Sequence, residues 1–338
     1  MKIPDVLLPK AINRPKENAV RLKPRDMELF ETIYDFDGIM SKRQIRELFW
    51  SGFTRRAMEK RLSKLFHGEY LYWPPIADWR SKPIPVPVCW LGWKGIMLVA
   101  DRKGVKVATP REINENQLRR LENELRDHGI HWLREPRWIQ LEHDLVINDF
   151  RLAVQKEVGQ STTLRLGKWL TDSTFHADMD VIEFEAKSQE GKFRTVKKGI
   201  RPDGYFELFD EKRQINGSPA TARFLLEIDL STHDNPSFGR EKVVPGVAYI
   251  KSPEFKQRFG YNSGRWLVVT TGKTRMKNLM AQTILSAGAG AKAFLFTTFE
   301  HLANNRILSD PVWQSPGVDH PLSLFVVDRP TRGNLNFD

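Results

Sequence analysis

The chain has 338 residues, 40% hydrophobic and 28% charged, with one cysteine, Cys89, and a formal net charge of +11. That composition excludes a disulfide scaffold and a low-complexity disordered chain, and no apolar run approaches the roughly 20 residues that cross a bilayer. It fits a globular, two-domain protein in a reduced, cytoplasmic setting, with no membrane partner and no secretory signal core in Met1-Lys2-Ile3-Pro4-Asp5.

The charge is uneven. Residues 1–110 hold 21 Lys and Arg against 12 Asp and Glu, a net +9, while residues 111–338 hold 32 against 30, a net +2. Positive charge gathered in one third of a chain implies either a polyanion bound there or a solvated basic surface.

Residues 1–24, with Pro4, Pro9, Pro15 and Pro24, read as an extended arm. Residues 25–108 read as a winged helix-turn-helix domain. Its first helix runs from Asp26 to Tyr34, with Leu29, Phe30 and Ile33 on one face. A second starts at the Ser41/Gln44 capping box, with Ile45, Leu48 and Phe49 as its apolar face. A third, capped by Thr54, runs to Phe66 with Met58, Leu62, Leu65 and Phe66 inward. Arg55, Arg56, Lys60, Arg61 and Lys64 cover its other side. Tyr70–Trp73 and Val86–Leu91 read as two strands joined by a Pro-rich wing carrying Lys82, and Gly95–Ala100 as a closing helix. Three helices and a hairpin fit a module whose third helix enters the major groove of double-stranded DNA. Those five cations and Lys82 are the expected DNA contacts.

Residues 109–133 hold a connecting helix that starts at Thr109, Pro110 and Glu112 and stops at Gly129. Its stripe of Ile113, Leu118, Leu121 and Leu125 either docks on the body or pairs with a second copy as a homodimer. Residues 134–330 read as an α/β (α+β) domain built on a mixed sheet. A helix at Ile139–Val158 precedes strands at Leu164–Leu170, Asp180–Ala186, Gly204–Phe209 and Ala222–Leu230. A helical stretch broken at Pro245 follows, from Ser237 to Phe259. Then come a strand at Arg265–Thr271, a helix at Arg275–Ser286 and a strand at Lys292–Thr298. Thr270–Thr274 is a fragment of a phosphate loop with a weak anion-binding signal. Residues 331–338 read as a loose tail.

The chemistry concentrates in Arg201-Pro202-Asp203-Gly204 and Glu227-Ile228-Asp229. On a strand, alternate side chains share a face, so Glu227 and Asp229 point one way and Leu226, Ile228 and Leu230 the other. Two carboxylates side by side on so apolar a strand need compensation. A divalent cation shared with Asp203 would supply it, and so would ion pairs to Arg201, Arg223 or Arg240.

The order of these acids against the elements resembles the PD-(D/E)XK nuclease superfamily. The resemblance places Pro202-Asp203 and Glu227 as its two acids and implies Mg²⁺ held by Asp203, Glu227 and Asp229. It departs at position 229, where the superfamily carries lysine. Some members supply that lysine from the following helix, which points to Lys242, and the first helix can add an acid, for which Asp149 stands beside His143 and Asp144. Over most of its length the chain also resembles the replication-relaxation family of plasmids and other mobile elements. Gly92-Trp93-Lys94-Gly95, His143-Asp144-Leu145, Asn148-Asp149, Arg201-Pro202-Asp203-Gly204, Glu227-Ile228-Asp229, Thr297-Thr298 and Trp313 carry that resemblance by their order. It implies a DNA-binding protein acting in replication or mobilisation with partners of that machinery. The second domain is then either a Mg²⁺-dependent DNA endonuclease or an inactive nuclease-like regulator or interaction platform.

Overall fold

The computed structural model describes residues 20–74, 86–110, 114–187, 192–231 and 234–325. The chain divides into two units, Met1–Asn148 and Asp149–Asp338.

The first unit opens with helix α1 (Pro24–Asp35), which buries Leu29, Phe30 and Ile33 as its periodicity requires. Strand β1 (Ile39–Ser41) leads into α2 (Lys42–Phe49), where the Ser41 hydroxyl accepts the Gln44 N–H at 3.2 Å and the Gln44 carboxamide accepts the Ser41 N–H at 2.8 Å. This is the expected capping box, but the face below it differs. Gln44 is buried and donates to the Leu145 carbonyl at 2.9 Å, whereas Leu48 is 40% exposed. Thr54 caps α3 (Arg55–His67), accepting the Ala57 N–H, and Met58, Leu62 and Leu65 face inward. Strands β2 (Leu71–Tyr72) and β3 (Val88–Leu91) follow, and β1 and β2 flank β3 in an antiparallel sheet. Strand β1 escaped the sequence reading because three consecutive buried residues show no alternation. Helix α4 (Trp93–Arg102) closes the sheet. Cys89 lies within it, and burial pushes its thiol up to about 12, which leaves it protonated and unreactive at neutral pH.

The connecting helix, α5, spans Glu115–Asp127 and is capped by Asn114, not Thr109; the Asn114 carboxamide oxygen accepts the Gln117 N–H at 3.0 Å. Leu118, Leu121 and Leu125 are buried within the protein. Ile113 and Glu112 lie outside the described residues, as do Lys82 of the expected wing and almost all of the expected arm and tail.

Helix α6 (Leu141–Gly159) contains the division between the units. Beyond it, strand β4 (Leu164–Thr171) leads through α7 (Asp172–Ala177) into a hairpin of β5 (Asp180–Lys187) and β6 (Phe193–Ile200). Strands β7 (Gly204–Ile215) and β8 (Ser218–Asp229) complete an antiparallel meander with β4. Strand β9 (Arg265–Thr270) lies parallel to β8, and β10 (Phe294–Thr298) parallel to β9. The resulting mixed sheet has the order β10-β9-β8-β7-β4. Strand β6 was not predicted because half of Phe193-Arg-Thr-Val-Lys-Lys-Gly-Ile is polar, and half of it faces solvent.

Between β8 and β9 the chain forms α8 (Asn235–Phe238), a π-helical turn (Gly239–Val243), α9 (Val244–Lys251) and α10 (Pro253–Phe259). The expected break at Pro245 is absent. Proline lacks an N–H and its ring crowds the turn before it, and the wider π turn absorbs both effects, so the helix breaks only at Ser252-Pro253. Helix α11 (Lys273–Ala287) joins β9 to β10, and the short α12 (Phe299–Asn304) follows β10. Leu225 of β8 packs among Val243, Tyr249, Phe255 and Leu279 on one face of the sheet. On the other face Phe150 of α6 meets Phe206, which pairs in register with Phe224, and Trp313.

The buried Glu157 of α6 ties down the segment after α12. Its carboxylate accepts the Leu308 and Ser309 N–H groups at 2.8 and 2.9 Å and the Ser309 hydroxyl at 2.6 Å. Glu157→Ala leaves two backbone donors without their acceptor, and chemical denaturation should show a loss of about 2–4 kcal/mol; a loss within experimental error would refute the clamp.

Candidate functional site

The end of β8, a strand flanked on both sides, positions the acids. Glu227 and Asp229 lie on the face covered by α8 to α11, in register with Val268 and Thr270 of β9. Both are buried, as is Asp203 at the start of β7. Asp203 stands where β7 begins, and its carboxylate takes the place of a strand carbonyl. It accepts the Ile228 N–H at 2.6 Å, while its own N–H donates to the Leu226 carbonyl at 2.9 Å. Proline at 202 and glycine at 204 frame that side-chain-for-backbone exchange, which seats Asp203 against β8 two strand positions from Gly204's partner.

Each β8 acid meets its own cation. The ammonium of Lys242, presented by the π turn, lies 2.7 and 2.8 Å from the two Glu227 carboxylate oxygens. Burial pulls the Lys242 pKa down, but the charge of Glu227, then that of Asp203, the hydrogen bond to Glu227 and the charge of Asp172 together hold it well above the usual lysine range. Lys242 is therefore a cation bonded to Glu227 and influenced by the charges of Asp203 and Asp172, and it is protonated at neutral pH. A π turn is a recurrent device for aiming one side chain at a site, since it shifts the helix face by a residue.

Asp229 goes elsewhere. Arg275, in the first turn of α11, grips it with Nε to Oδ2 and Nη2 to Oδ1, both at 2.9 Å, and the Thr270 hydroxyl donates at 2.6 Å. Burial raises the Asp229 pKa, yet the Arg275 and Thr270 hydrogen bonds and the guanidinium charge outweigh it and hold the carboxyl below its ordinary range. Asn235 accepts the remaining Arg275 fork at 2.6 Å. The structure thus brings Asp203, Glu227 and Lys242 together and sets Asp229 in a separate bidentate pair. Among the described residues, no group of three or more His, Cys, Asp or Glu side chains is arranged to hold a metal ion.

The other candidates distribute as follows. Asp149 belongs to α6, whose neighbour Phe150 packs on the sheet face opposite Glu227. Asp144 lies in the first unit, 2.7 Å from Arg137, and burial pushes its carboxyl up to about 6 despite that partner. None of the three arginines offered as partners takes the β8 acids. Arg223 stacks on Tyr261 near Glu207, Arg240 bonds Glu241 and Ser237, and Arg201 bonds His176 and Met179. Arg275 is the partner that sequence reasoning missed, together with the charge of Asp172 acting on Lys242. The trace of Arg275 is its place in the first turn after β9, where a helix start meets the end of the neighbouring parallel strand.

On α3, Arg55, Arg56, Lys60 and Lys64 are exposed, with Arg55 bonded to Glu59 at 2.8 Å. Arg61 is turned inward, and its guanidinium holds the buried Asp26 of α1, with Nε donating at 2.9 Å. The exposed basic face is four cations rather than five.

Residues 32–244 match the family model described as Replication-relaxation. No curated protein and no solved structure matches the chain. No helix among the described residues is long and apolar enough to cross a membrane.

Arg275→Ala strands a buried carboxylate and should cost about 3–5 kcal/mol in urea denaturation. The acid side of the same pair has a pH signature. A carboxyl held below its unfolded range contributes stability that is present above that range and lost as pH falls below about 4. Acid unfolding of Asp229→Asn should therefore be flatter than that of the wild type, and parallel curves would contradict the pairing.

Proposed function

The chain belongs to the replication-relaxation family, and from that premise we propose that it is a cytoplasmic DNA-binding protein of a plasmid or other mobile element, serving replication or mobilisation together with proteins of that machinery. The first unit acts as a winged helix-turn-helix. The exposed Arg55, Arg56, Lys60 and Lys64 of α3 face the duplex, with Lys82, outside the described residues, as a further contact. Arg61 serves the domain differently, fastening that helix to Asp26.

The second unit carries a PD-(D/E)XK-like endonuclease site. The observation that carries this reading is the meeting of Lys242 with Glu227, 2.7 Å apart, beside Asp203. A helix-borne lysine against the strand acid supplies the cation that position 229 lacks. The meander β4-β7-β8 followed by the parallel β9 agrees with the strand order that superfamily requires. Asp203 and Glu227 are hard oxygen donors, and two carboxylates suffice for Mg²⁺, which keeps several of its waters. When bound, the metal would supply an activated water and neutralise charge on the phosphate. Lys242, fixed in its charged state, stabilises negative charge at the same point and does not serve as a base. Asp229, tied to Arg275, acts as a positioning residue.

A second reading rests on the same distances. Lys242 and Arg275 neutralise Glu227 and Asp229 without any metal, so the unit can serve as an inactive nuclease-like clamp or interaction platform.

Incubating wild type with Mg²⁺ or Mn²⁺ and duplex, nicked or single-stranded DNA separates the two. The nuclease reading expects cleavage that falls by at least about 100-fold in Asp203→Ala, Glu227→Ala and Lys242→Ala, with duplex affinity retained. Absence of metal-dependent cleavage on every substrate leaves the clamp. For the first unit, Arg56→Ala with Lys60→Ala should lower the salt slope of duplex binding by about 1.8, and an unchanged slope would sink that assignment.

A further inference from the structure

A cleft of about 630 Å³ opens between the β5–β6 hairpin and the π turn. Lys197, Lys198 and Arg201 line it from the hairpin side, and Glu241 and Lys242 from the helical side. The hairpin is held in place from its base, where Arg258 of α10 donates to Asp180 at 2.8 Å and the Tyr249 hydroxyl of α9 donates to the same carboxylate. The two walls are therefore built elements of one unit. They meet at Lys198, which pairs with Glu241 across the cleft.

Arg201 stands out in this setting. Lys242 is matched by Glu227, Lys198 by Glu241 and Lys197 by Glu183 at 3.6 Å. Arg201 lies instead 3.3 Å from His176 Nε2 and donates to Met179 Sδ at 3.1 Å, and no carboxylate among the described residues pairs with it. A guanidinium with no carboxylate partner among the described residues, at the mouth of a cation-lined cleft, keeps its charge available for an anion. Chain connectivity fixes what that anion faces. Arg201 is separated from Asp203 by Pro202 alone, and Lys242 both lines the cleft and touches Glu227.

We propose that this cleft is a groove for one nucleic-acid strand, in which Arg201 and Lys197 grip the phosphodiester backbone and lead it toward Asp203 and Glu227. The size argues for a single strand, because a cleft of this volume is on the scale of a small bound molecule. The lining argues for the backbone over the bases. Its aromatic member, Trp266, is buried and donates its indole N–H to the Gly246 carbonyl at 3.1 Å, so it offers no stacking platform. Binding is then indifferent to sequence and steeply dependent on salt. The inference rests on the reading that the second unit acts on nucleic acid, and it adds the form of the ligand and its path.

The test measures fluorescence anisotropy of labelled oligo-dT against a duplex of equal length, with dTMP as competitor and no divalent metal. Wild type should bind the single strand. Lys197→Gln with Arg201→Gln should weaken it at least tenfold and lower the salt slope by about 1.4, two contacts at roughly 0.7 each. Duplex binding and the melting temperature should hold. If the double variant does not fold, Lys197→Gln alone should lower the slope by about 0.7. No single-strand binding by wild type, an unchanged slope in the folded variants, or displacement by dTMP as effective as by oligo-dT overturns the groove. Cleavage that depends on Glu227 but ignores Lys197 and Arg201 refutes the groove and keeps the nuclease site. Strand binding lost in the variants, with no cleavage by wild type, keeps the groove and assigns the unit as a clamp.

Discussion

Two carboxylates at the end of a buried strand set the terms for the second unit. Glu227 and Asp229 follow one another on the same face of β8, and neither can be buried without a positive partner. The fold answers with two cations from two different helices, Lys242 from the π turn and Arg275 from the start of α11. Those helices flank β9 in the chain, so satisfying the acids also fixes where both crossovers cover the sheet. Asp203 reinforces the arrangement from the other side by binding the Ile228 N–H between the two acids.

The two pairs differ in kind. Arg275 meets Asp229 through a planar fork, with the Thr270 hydroxyl donating to the same carboxylate and the Asn235 carboxamide accepting from the guanidinium. Lys242 is a compact charge with three donors, set among Glu227, Asp203 and Asp172 and lining an open cleft. The first pair is suited to holding structure. The second leaves an ammonium on the wall of a cleft.

Much of this was legible from sequence. The strand alternation gave the shared face of Glu227 and Asp229, and the resemblance to nucleases that carry their lysine on the following helix pointed to Lys242. The helix starts at Ser41 and Thr54 were readable from their caps, and the three buried leucines of α5 from their spacing. What escaped depends on contacts remote in the chain. Arg275 lies 46 residues from Asp229, and Arg61 lies 35 from Asp26, so a cationic helix face could not reveal which of its members turns inward. Strand β6 was hidden because a ribbon with one wetted face carries too few apolar residues to show a period, and the basic cleft it helps to form was hidden with it.

The π turn has a consequence for how such a site can be gained or lost. A π turn carries one residue more than the α-helical turn it replaces. Removing a single residue between Phe238 and Val244 would restore an ordinary helix and rotate Lys242 by roughly 100° about its axis, away from Glu227. The hydrophobic positions of α9 could keep their packing while the charge at the acids disappeared. One codon in the turn thus separates a lysine-bearing acidic site from a lysine-free one on the same scaffold.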